Sequence, residues 1–299
     1  LMILAVVFSL FFITQSLGFE GLEFLNSDEM KKYTHIFVMD DFLARNHFVK
    51  SFLGGMFITI CMTGLDQDMM QKNLTCRSLK DAQKNMVVFS FVMVFVTFLF
   101  LLLGALIFIY AEKNQIAIPL LDGAPKTDLL FPEIALSGSL GITVGVVFIL
   151  GLIAAAYSSA DSALTSLTTS FCVDFVKMDK HSESDQKKIR KRTHIGMSLV
   201  LILVVVAFKH ILDRNVIDGL LTVSSYTYGP LLGLFTFGIF TPYKVQDAKV
   251  VWVVLASIGL IFLIGNLPKS LLGGYEIGYE LLPLNGLITF LGLILIRRK

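Results

Sequence analysis

Long apolar runs separated by short polar segments are the dominant pattern of this 299-residue chain. Runs of roughly 17–25 apolar residues are long enough to cross a bilayer as helices. The fourth run is too long for one perpendicular span, so we expect either a tilt or an irregular start between Gly138 and Gly145. The pattern predicts about eight spans, over residues 1–17, 47–65, 86–111, 138–172, 195–212, 217–240, 250–267 and 281–296.

The polar segments between these runs alternate in charge. Lys and Arg concentrate in segments 66–84 and 174–193 and at the C-terminus, whereas segment 18–46 is acidic. Because loops rich in Lys and Arg stay on the cytoplasmic side, we expect segments 66–84, 174–193 and 241–249 and the C-terminus to be cytoplasmic. These are alternate loops, as an even number of spans requires.

Composition narrows the classes of function. The chain is 55% hydrophobic and 16% charged, whereas soluble domains are about 25% charged. Basic and aromatic residues do not concentrate as in a nucleic-acid groove, and the three cysteines are scattered without a CxxC pair. We therefore expect an all-α polytopic membrane protein without a nucleic-acid partner, an organic cofactor, a disulfide framework or a zinc site.

Two further features bear on function and on the ends of the chain. The five histidines fall in loops or at span ends, and no nucleophile is paired with a base, so we do not expect an enzyme. The chain opens inside an apolar run without a basic leading segment, which indicates a truncated N-terminus rather than a signal peptide.

The segment that carries chemistry is the long run 138–172. At about 100° per residue, its small and hydroxylated side chains fall in one stripe roughly 100° wide. Hydroxyls and freed backbone carbonyls suit sodium, whereas calcium or magnesium would need several carboxylates. A tight helix–helix interface would use the same residue types, so spacing alone leaves both readings open. The stripe contains Ala155, Ser158, Ser159, Ser162, Ser166 and Thr169.

Asp161 favours a functional role for this stripe. It is the one acidic residue deep within any of the apolar runs, and a carboxylate inside a membrane is costly and usually functional. Its position at the edge of the stripe, beside Ser158 and Thr165, lets it tune the field at an ion without touching it. The alternative is a structural carboxylate that bonds hydroxyls or faces a vestibule.

Two other stretches are distinctive. Residues 64–84 predict a membrane helix that ends at Gly64, a short amphipathic helix, and the start of the next span. Gly229 and Gly233 are four residues apart around Pro230, which is typical of a close helix-packing face with a kink.

Together these stretches resemble the sodium/solute symporter family. The family pattern in segment 64–84 is matched with Lys72 in place of the usual Arg. The Ala-Ala-x-x-Ser-Ser-x-x-Ser stretch within 154–162 is similar to the family's sodium-site helix, and residues 226–233 are similar to a later family helix. The matching positions in the first pattern are Gly64, Asp66, Gln67, Gln71, Leu74, Arg77, Ser78, Leu79 and Ala82.

The resemblance implies a leucine-transporter-type fold of two five-helix inverted repeats. Residues 1–17 would end the last helix of the first repeat, and 18–46 would be an extracytoplasmic loop. Residues 47–240 would form the second repeat, and 241–299 would hold two peripheral helices and a basic cytoplasmic tail. The chain would then be an N-terminally truncated fragment that lacks most of the first repeat.

The resemblance also implies the ion sites. The carbonyl of Ala155 and the hydroxyls of Ser158 and Ser159 would bind sodium. A second cation site would use Ser158, Asp161 and Ser162. Because Asp161 stands where such members have a hydroxyl, it would strengthen that site or carry a proton instead.

The implied function is sodium-coupled symport of a small organic solute by alternating access. The alternative is a proton-coupled transporter of a related fold that uses Asp161. The solute would be polar or anionic, of the sugar, amino acid, carboxylate or sialic acid class. Solute contacts would involve Thr59, Met62, Thr63 and Tyr226, with Gly54 and Gly55 interrupting the helix near the middle of the membrane.

Overall fold

Most of the chain folds into helices, and the long helices follow the apolar runs. The computed structural model describes residues 1–121, 123–211 and 216–298. Leu212 and Lys299, which end two of the predicted segments, lie outside the described residues. The helices are α1 Met2–Ser16, α2 Asp28–Lys31, α3 Phe48–Gly64, α4 Gln67–Leu74, α5 Leu79–Lys113, α6 Leu130–Leu136, α7 Ile142–Ser170, α8 Glu183–Ile211, α9 Val216–Phe240, α10 Asp247–Gly265 and α11 Leu281–Leu295.

Short elements complete the description. Strands β1 (Leu120–Leu121) and β2 (Ala124–Pro125) pair antiparallel in a small hairpin. Three single 3₁₀ turns cover Glu23–Asn26, Thr127–Leu129 and Met178–Lys180, and a π-helical turn over Phe171–Phe175 continues α7. The prediction of an all-α polytopic membrane protein is confirmed in its architecture.

Each of the predicted apolar runs contains a long helix, but not all of those helices pass a strict test for spanning. Within the described residues, four helices are long and apolar enough to cross a bilayer: α5, α7 with its π-helical end, α8 and α10. The pair α3 and α4, bent by 55°, makes a fifth if it counts as one span. Helices α1 and α11 are apolar but shorter, and α9 carries the polar stretch Ser224–Tyr228 at its centre.

The long fourth run starts irregularly, which is one of the two expected alternatives. Gly138 and Gly141 adopt left-handed backbone angles, with φ of 81° and 88°, which other residues rarely adopt. These two glycines turn the chain between α6 and α7, so α7 begins at Ile142 rather than at Gly138.

The helices form two compact units. Unit 1 contains residues 1–35 and 71–215, and unit 2 contains residues 36–70 and 216–299. In unit 1, helix α7 packs against α1, α6 and α8, and α1 also packs against α5. The apolar core of unit 1 includes Ile13, Leu106, Ile134 and Val144, each 1% exposed or less.

Unit 2 is built on the pairing of α9 with α11. Helices α3 and α10 pack against both of them. A core of Ile58, Cys61 and Leu282 joins α3 to α11, with Tyr228 and Leu232 of α9 packed against it.

Glycines set the closeness of the α9–α11 contact. A methyl group at Gly233 would lie 2.5 Å from the Gly286 carbonyl oxygen and 2.6 Å from Cβ of Thr289. A methyl group at Gly229 would collide with Asn285. The predicted packing face around Pro230 is therefore confirmed.

Candidate cation site on α7

The residues predicted to bind sodium lie in the middle of α7. The helix runs without a break through Ala155, Ser158 and Ser159 because leucine and alanine, which favour helix, surround the hydroxylated positions. Ser158 and Ser159 are exposed, and Ala155 is half-buried. The structure therefore places both hydroxyls on an accessible helix surface.

The neighbouring turns of α7 are packed on both sides of this surface. One turn before Ala155, Gly151 lies against the backbone of Met2 and the side chain of Ala5 in α1. Further along the helix, Thr168 is buried and its Oγ1 lies 3.2 Å from Nδ1 of His194 in α8. In unit 1 the exposed middle of the stripe thus lies between two packed ends.

Some other hydroxyls in the long helices bond to their own backbone. The exposed Ser90 of α5 donates to the Met86 carbonyl at 2.9 Å, and the half-buried Ser198 of α8 donates to the His194 carbonyl at 2.8 Å. In contrast, the hydroxyls of Ser158 and Ser159 form no hydrogen bond with the described residues. Their oxygen lone pairs are therefore available to a ligand.

Asp161 and Ser162 continue this polar surface by one turn. Asp161 is exposed and Ser162 is half-buried. In the part of the chain that the structure describes, neither side chain forms a hydrogen bond or an ion pair. The reading of Asp161 as a structural carboxylate bonded to hydroxyls therefore finds no partner in unit 1. One carboxylate and three hydroxyls together suit a monovalent cation or a proton more than a divalent metal.

Side chains that commonly bind metal ions do not cluster in the described part of the chain. Among the described residues, no group of three or more His, Cys, Asp or Glu side chains is placed to hold a metal ion.

The predicted solute residues lie in unit 2. Thr59 and Thr63 share one face of α3, opposite the face that buries Ile58 and Cys61 in the core. Thr59 is exposed and its hydroxyl donates to the Gly55 carbonyl at 2.8 Å. Met62 is partly exposed beside them, so the three side chains share an accessible side of α3.

Tyr226 does not join these three side chains. Its ring packs against Phe262 of α10, with the ring centroids 6.1 Å apart. A methyl group at Gly265 would lie 3.0 Å from the Tyr226 hydroxyl. The side chain of Tyr226 thus contacts α10 rather than the threonine face of α3.

The predicted interruption of the helix at Gly54 and Gly55 is wrong. Helix α3 is continuous from Phe48 to Gly64, and the bend follows it. Gly54 instead lets Tyr279 come close, because a methyl group there would lie 2.6 Å from Cβ of Tyr279. The absence of a side chain at Gly54 serves helix packing and leaves the backbone hydrogen bonds intact.

The family-like stretch that begins at Gly64 has a local structural reason. Oδ1 of Asp66 accepts hydrogen bonds from the backbone amides of Asp68 and Met69, at 2.9 and 3.2 Å, and so caps α4. Its other oxygen, Oδ2, accepts from the Tyr228 hydroxyl of α9 at 3.2 Å. Asp66 therefore fixes both the bend after α3 and the contact of that bend with α9.

Sequence reasoning missed a second polar cluster in unit 2. Lys50 is buried, donates to the carbonyls of Ala44 and Glu276, and lies 3.6 Å from Oε1 of Glu280. The Tyr275 hydroxyl donates to the same carboxylate oxygen at 2.9 Å. A lysine at the start of an apolar run was the available signal, because a buried lysine needs a partner.

Comparison with known proteins covers most of the chain. The profile of the Sodium:solute symporter family matches residues 1–248. The Sodium/sialic acid symporter SiaT of Proteus mirabilis (strain HI4320) is 23% identical over 216 residues, which are 70% of this chain and 42% of that protein. The Sodium/glucose cotransporter of Vibrio parahaemolyticus is 26% identical over 256 residues, which are 81% of this chain and 46% of that protein. The chain therefore spans less than half the length of these two relatives.

Proposed function

The chain belongs to the sodium:solute symporter family, and from that membership we propose that it forms part of a sodium-coupled symporter of a small organic solute. The observation that carries the proposal is the exposed, unbonded pair of hydroxyls on α7, at Ser158 and Ser159. Both relatives described above are named as sodium-coupled transporters. We accordingly assign transport, rather than enzymatic chemistry, to this chain.

Sodium would bind to the hydroxyls of Ser158 and Ser159 and the carbonyl of Ala155. A hard monovalent cation needs several oxygen ligands, and carbonyls from a broken helix commonly supply the remainder in transporters of this kind. A second cation would bind one turn further on, at Ser158, Asp161 and Ser162. Here the carboxylate would supply the charge that hydroxyls alone do not.

Coupling would follow from a shared preference of sodium and solute for one conformation. If sodium stabilises the conformation that binds solute, solute must stabilise sodium binding by the same factor. The membrane potential adds about 2.3 kcal/mol per charge per 100 mV to the inward driving force. Transport therefore needs no covalent step and no organic cofactor.

The solute would be a small polar or anionic molecule that contacts Thr59, Met62 and Thr63 on the open side of α3. We keep Tyr226 as a weaker candidate because its ring already packs against Phe262. The names of the two relatives favour a sialic acid or a sugar within that class.

Sodium-dependent uptake by the full-length protein in proteoliposomes tests the proposal. Labelled sialic acid, glucose, amino acids and carboxylates would be screened first, and the transported solute used for variants. Ser159→Ala removes an ion ligand without a change in bulk, so we expect sodium stimulation of uptake to fall by at least about tenfold. Retained stimulation in Ser159→Ala would contradict the sodium site.

Ser198→Ala is the matched control. Ser198 is a half-buried serine of α8 whose hydroxyl bonds to its own helix, so its loss should leave uptake unchanged. Asp161→Asn separates the proton-coupled alternative, in which uptake depends on pH rather than sodium. That alternative predicts that Asp161→Asn abolishes the pH dependence while Ser159→Ala leaves transport intact.

The proposed placement of the chain in the membrane needs its own test. We propose that segments 66–84, 174–193 and 241–249 and the C-terminus are cytoplasmic, and that residues 47–240 form the second inverted repeat. Single cysteines introduced into these segments should react with an impermeant thiol reagent only after the membrane is opened. Labelling in sealed cells would overturn the assignment.

A further inference from the structure

A cavity of about 580 Å³ lies within unit 1, between the end of α7 and the start of α8. Its walls come from two faces of different chemistry. The α7 face contributes the hydroxyls of Thr165, Thr168 and Thr169, and the α8 face contributes charged side chains. This cavity lies two turns and more beyond Ser158 and plays no part in the proposed transport cycle.

The α8 face of the cavity is strongly basic. Arg190 and Lys191 follow Lys187 by three and four residues, and His194 follows them by four and three, so the four side chains share one side of the helix. No carboxylate is among the described residues that line the cavity. Nor does any of the three cations form an ion pair with a carboxylate in the described part of the chain. Three cationic side chains therefore line one space without a paired carboxylate among the described residues, which suits a multiply hydrogen-bonding anion such as a phosphate group.

The phosphate group could belong to a soluble anion or to a lipid headgroup, and the position of the cavity along α8 distinguishes these two sources. Beyond His194 the helix becomes apolar, and none of its apolar window is buried within the structure. The exposed apolar surface begins at Ile195 and includes Leu199 and Leu203. Acyl chains would cover such a surface, whereas a soluble anion would make no use of it. A basic pocket directly above a lipid-facing helix matches the headgroup level of a bilayer.

We propose that this cavity binds the phosphate headgroup of an anionic phospholipid. Lys187, Arg190 and Lys191 would contact the phosphate oxygens, and Thr169 would donate a further hydrogen bond. The acyl chains would lie along the exposed apolar side of α8. Nδ1 of His194 is engaged with Thr168, so only Nε2 of that ring would be available to the phosphate.

The test titrates lipid into the detergent-solubilised full-length protein and counts bound lipids by native mass spectrometry. The probes are phosphatidylglycerol, phosphatidylcholine with the same acyl chains, and inorganic phosphate. We expect tight binding of one phosphatidylglycerol, weaker binding of phosphatidylcholine, and no competition by inorganic phosphate at equal concentration. Equal binding of the two lipids would overturn the proposal, and effective competition by inorganic phosphate would overturn the lipid assignment.

A matched pair of triple variants tests the location. Removing the cavity charges in K187Q/R190Q/K191Q should weaken phosphatidylglycerol binding by about 100-fold, at about fivefold per charge near the bilayer surface. The control K180Q/K188Q/R192Q removes the same net charge from the same segment but from outside the cavity. It should stay within about fivefold of the wild type, because charges further from the ligand are screened. Equal losses in the two variants would show diffuse attraction and overturn the site.

One uncharged substitution tests whether the lipid headgroup binds inside the cavity rather than to the basic surface in general. Val173 lines the cavity and its side chain is 52% exposed, so Val173→Trp adds bulk there without disturbing the core. We expect it to weaken phosphatidylglycerol binding while thermal stability in detergent stays unchanged. Wild-type affinity in Val173→Trp would contradict binding inside the cavity.

Discussion

Polar side chains lie on apolar helices both at the α9–α11 interface of unit 2 and in the middle of α7 in unit 1. They are buried in the first region and exposed in the second. In unit 2, Asn285 and Thr289 are fully buried. The side-chain amide of Asn285 donates to the carbonyls of Ser225 and Tyr226, and the Thr289 hydroxyl donates to Oγ of Ser257 at 2.9 Å. In unit 1, Ser158 and Ser159 are exposed and unbonded within the described residues.

The contrast separates two uses of the same residue types. Small residues let helices approach closely, as Gly229 and Gly233 do with α11, and polar side chains then bond across the contact, as Asn285 does with the Ser225 carbonyl. The residues on α7 also have the required sizes, yet the exposed turn around Ser158 lies between the packed turns at Gly151 and Thr168. Residue type alone therefore does not distinguish a packing face from a ligand face, whereas burial together with hydrogen bonds to a neighbouring helix marks the packing face.

The largest expected effect comes from Gly233→Leu, which tests the close packing of α9 against α11. The new side chain would overlap the backbone of Gly286 and the side chain of Thr289, and overpacking of this kind costs about 3 kcal/mol. We expect the midpoint of thermal unfolding in detergent to fall by several degrees, measured with a thiol-reactive dye or by intrinsic fluorescence.

Gly238→Leu in the same helix is the control for that change. No atom lies within 4 Å of a methyl group placed at Gly238, so the substitution should not destabilise and the gain in helix propensity should stabilise slightly. Equal destabilisation by the two substitutions would mean that α9 and α11 are not packed as described.

If Ser158 and Ser159 on α7 bind sodium, sodium should stabilise the folded protein. A ligand that binds only the folded state, at 100 times its dissociation constant, stabilises it by about 2.7 kcal/mol. We expect sodium, but not an equal concentration of choline, to raise the unfolding temperature of the full-length protein. In Ser158→Ala and Ser159→Ala this increase should disappear, while stability without sodium should remain that of the wild type.

Thr289→Val should show the reverse behaviour. It removes a buried hydroxyl that bonds Ser257 without changing side-chain shape, and Ser257 keeps its bond to the Val254 carbonyl. The expected loss is about 1 kcal/mol, measured by the same unfolding experiment with and without sodium. The sodium-dependent increase should be preserved. Its loss would mean that the α9–α11 interface and the cation site on α7 are coupled, which contradicts their separate roles.

The apolar pattern predicted the helices well because their lengths are set by the bilayer. It also located the irregular start near Gly138, because that run exceeds the length of one perpendicular span, and the packing face at Gly229 and Gly233. The Gly54–Gly55 prediction failed because a glycine pair is equally suited to a close contact, here with Tyr279.

Long-range pairing was beyond the reach of sequence patterns. The bond of Tyr228 to Asp66 joins residues 162 positions apart, and the ion pair of Lys50 with Glu280 joins two separate parts of unit 2. Periodicity locates residues on a helix face, but the partner of that face depends on tertiary packing. The α7 stripe illustrates this, because its spacing predicted the polar surface but not its exposure.

The smallest expected effect concerns the cluster around Glu280, in which Tyr275 and Glu280 lie between α10 and α11. Burial, followed by the hydrogen bond to Glu280, raises the pKa of Tyr275 from its ordinary value of 10.0 to about 12. Because this pKa is higher in the folded state than in the unfolded state, the associated stability is complete below pH 10 and is lost as the pH rises towards 12. The stability difference between wild type and Tyr275→Phe should therefore be constant from pH 8 to about pH 10 and should shrink above it. This is measured by comparing unfolding temperatures of the two proteins at matched pH. A stability difference that stays constant up to pH 12 would mean that Tyr275 titrates as an isolated phenol. The Glu280 cluster would then be open to water, like the stripe on α7, rather than buried, like the α9–α11 interface.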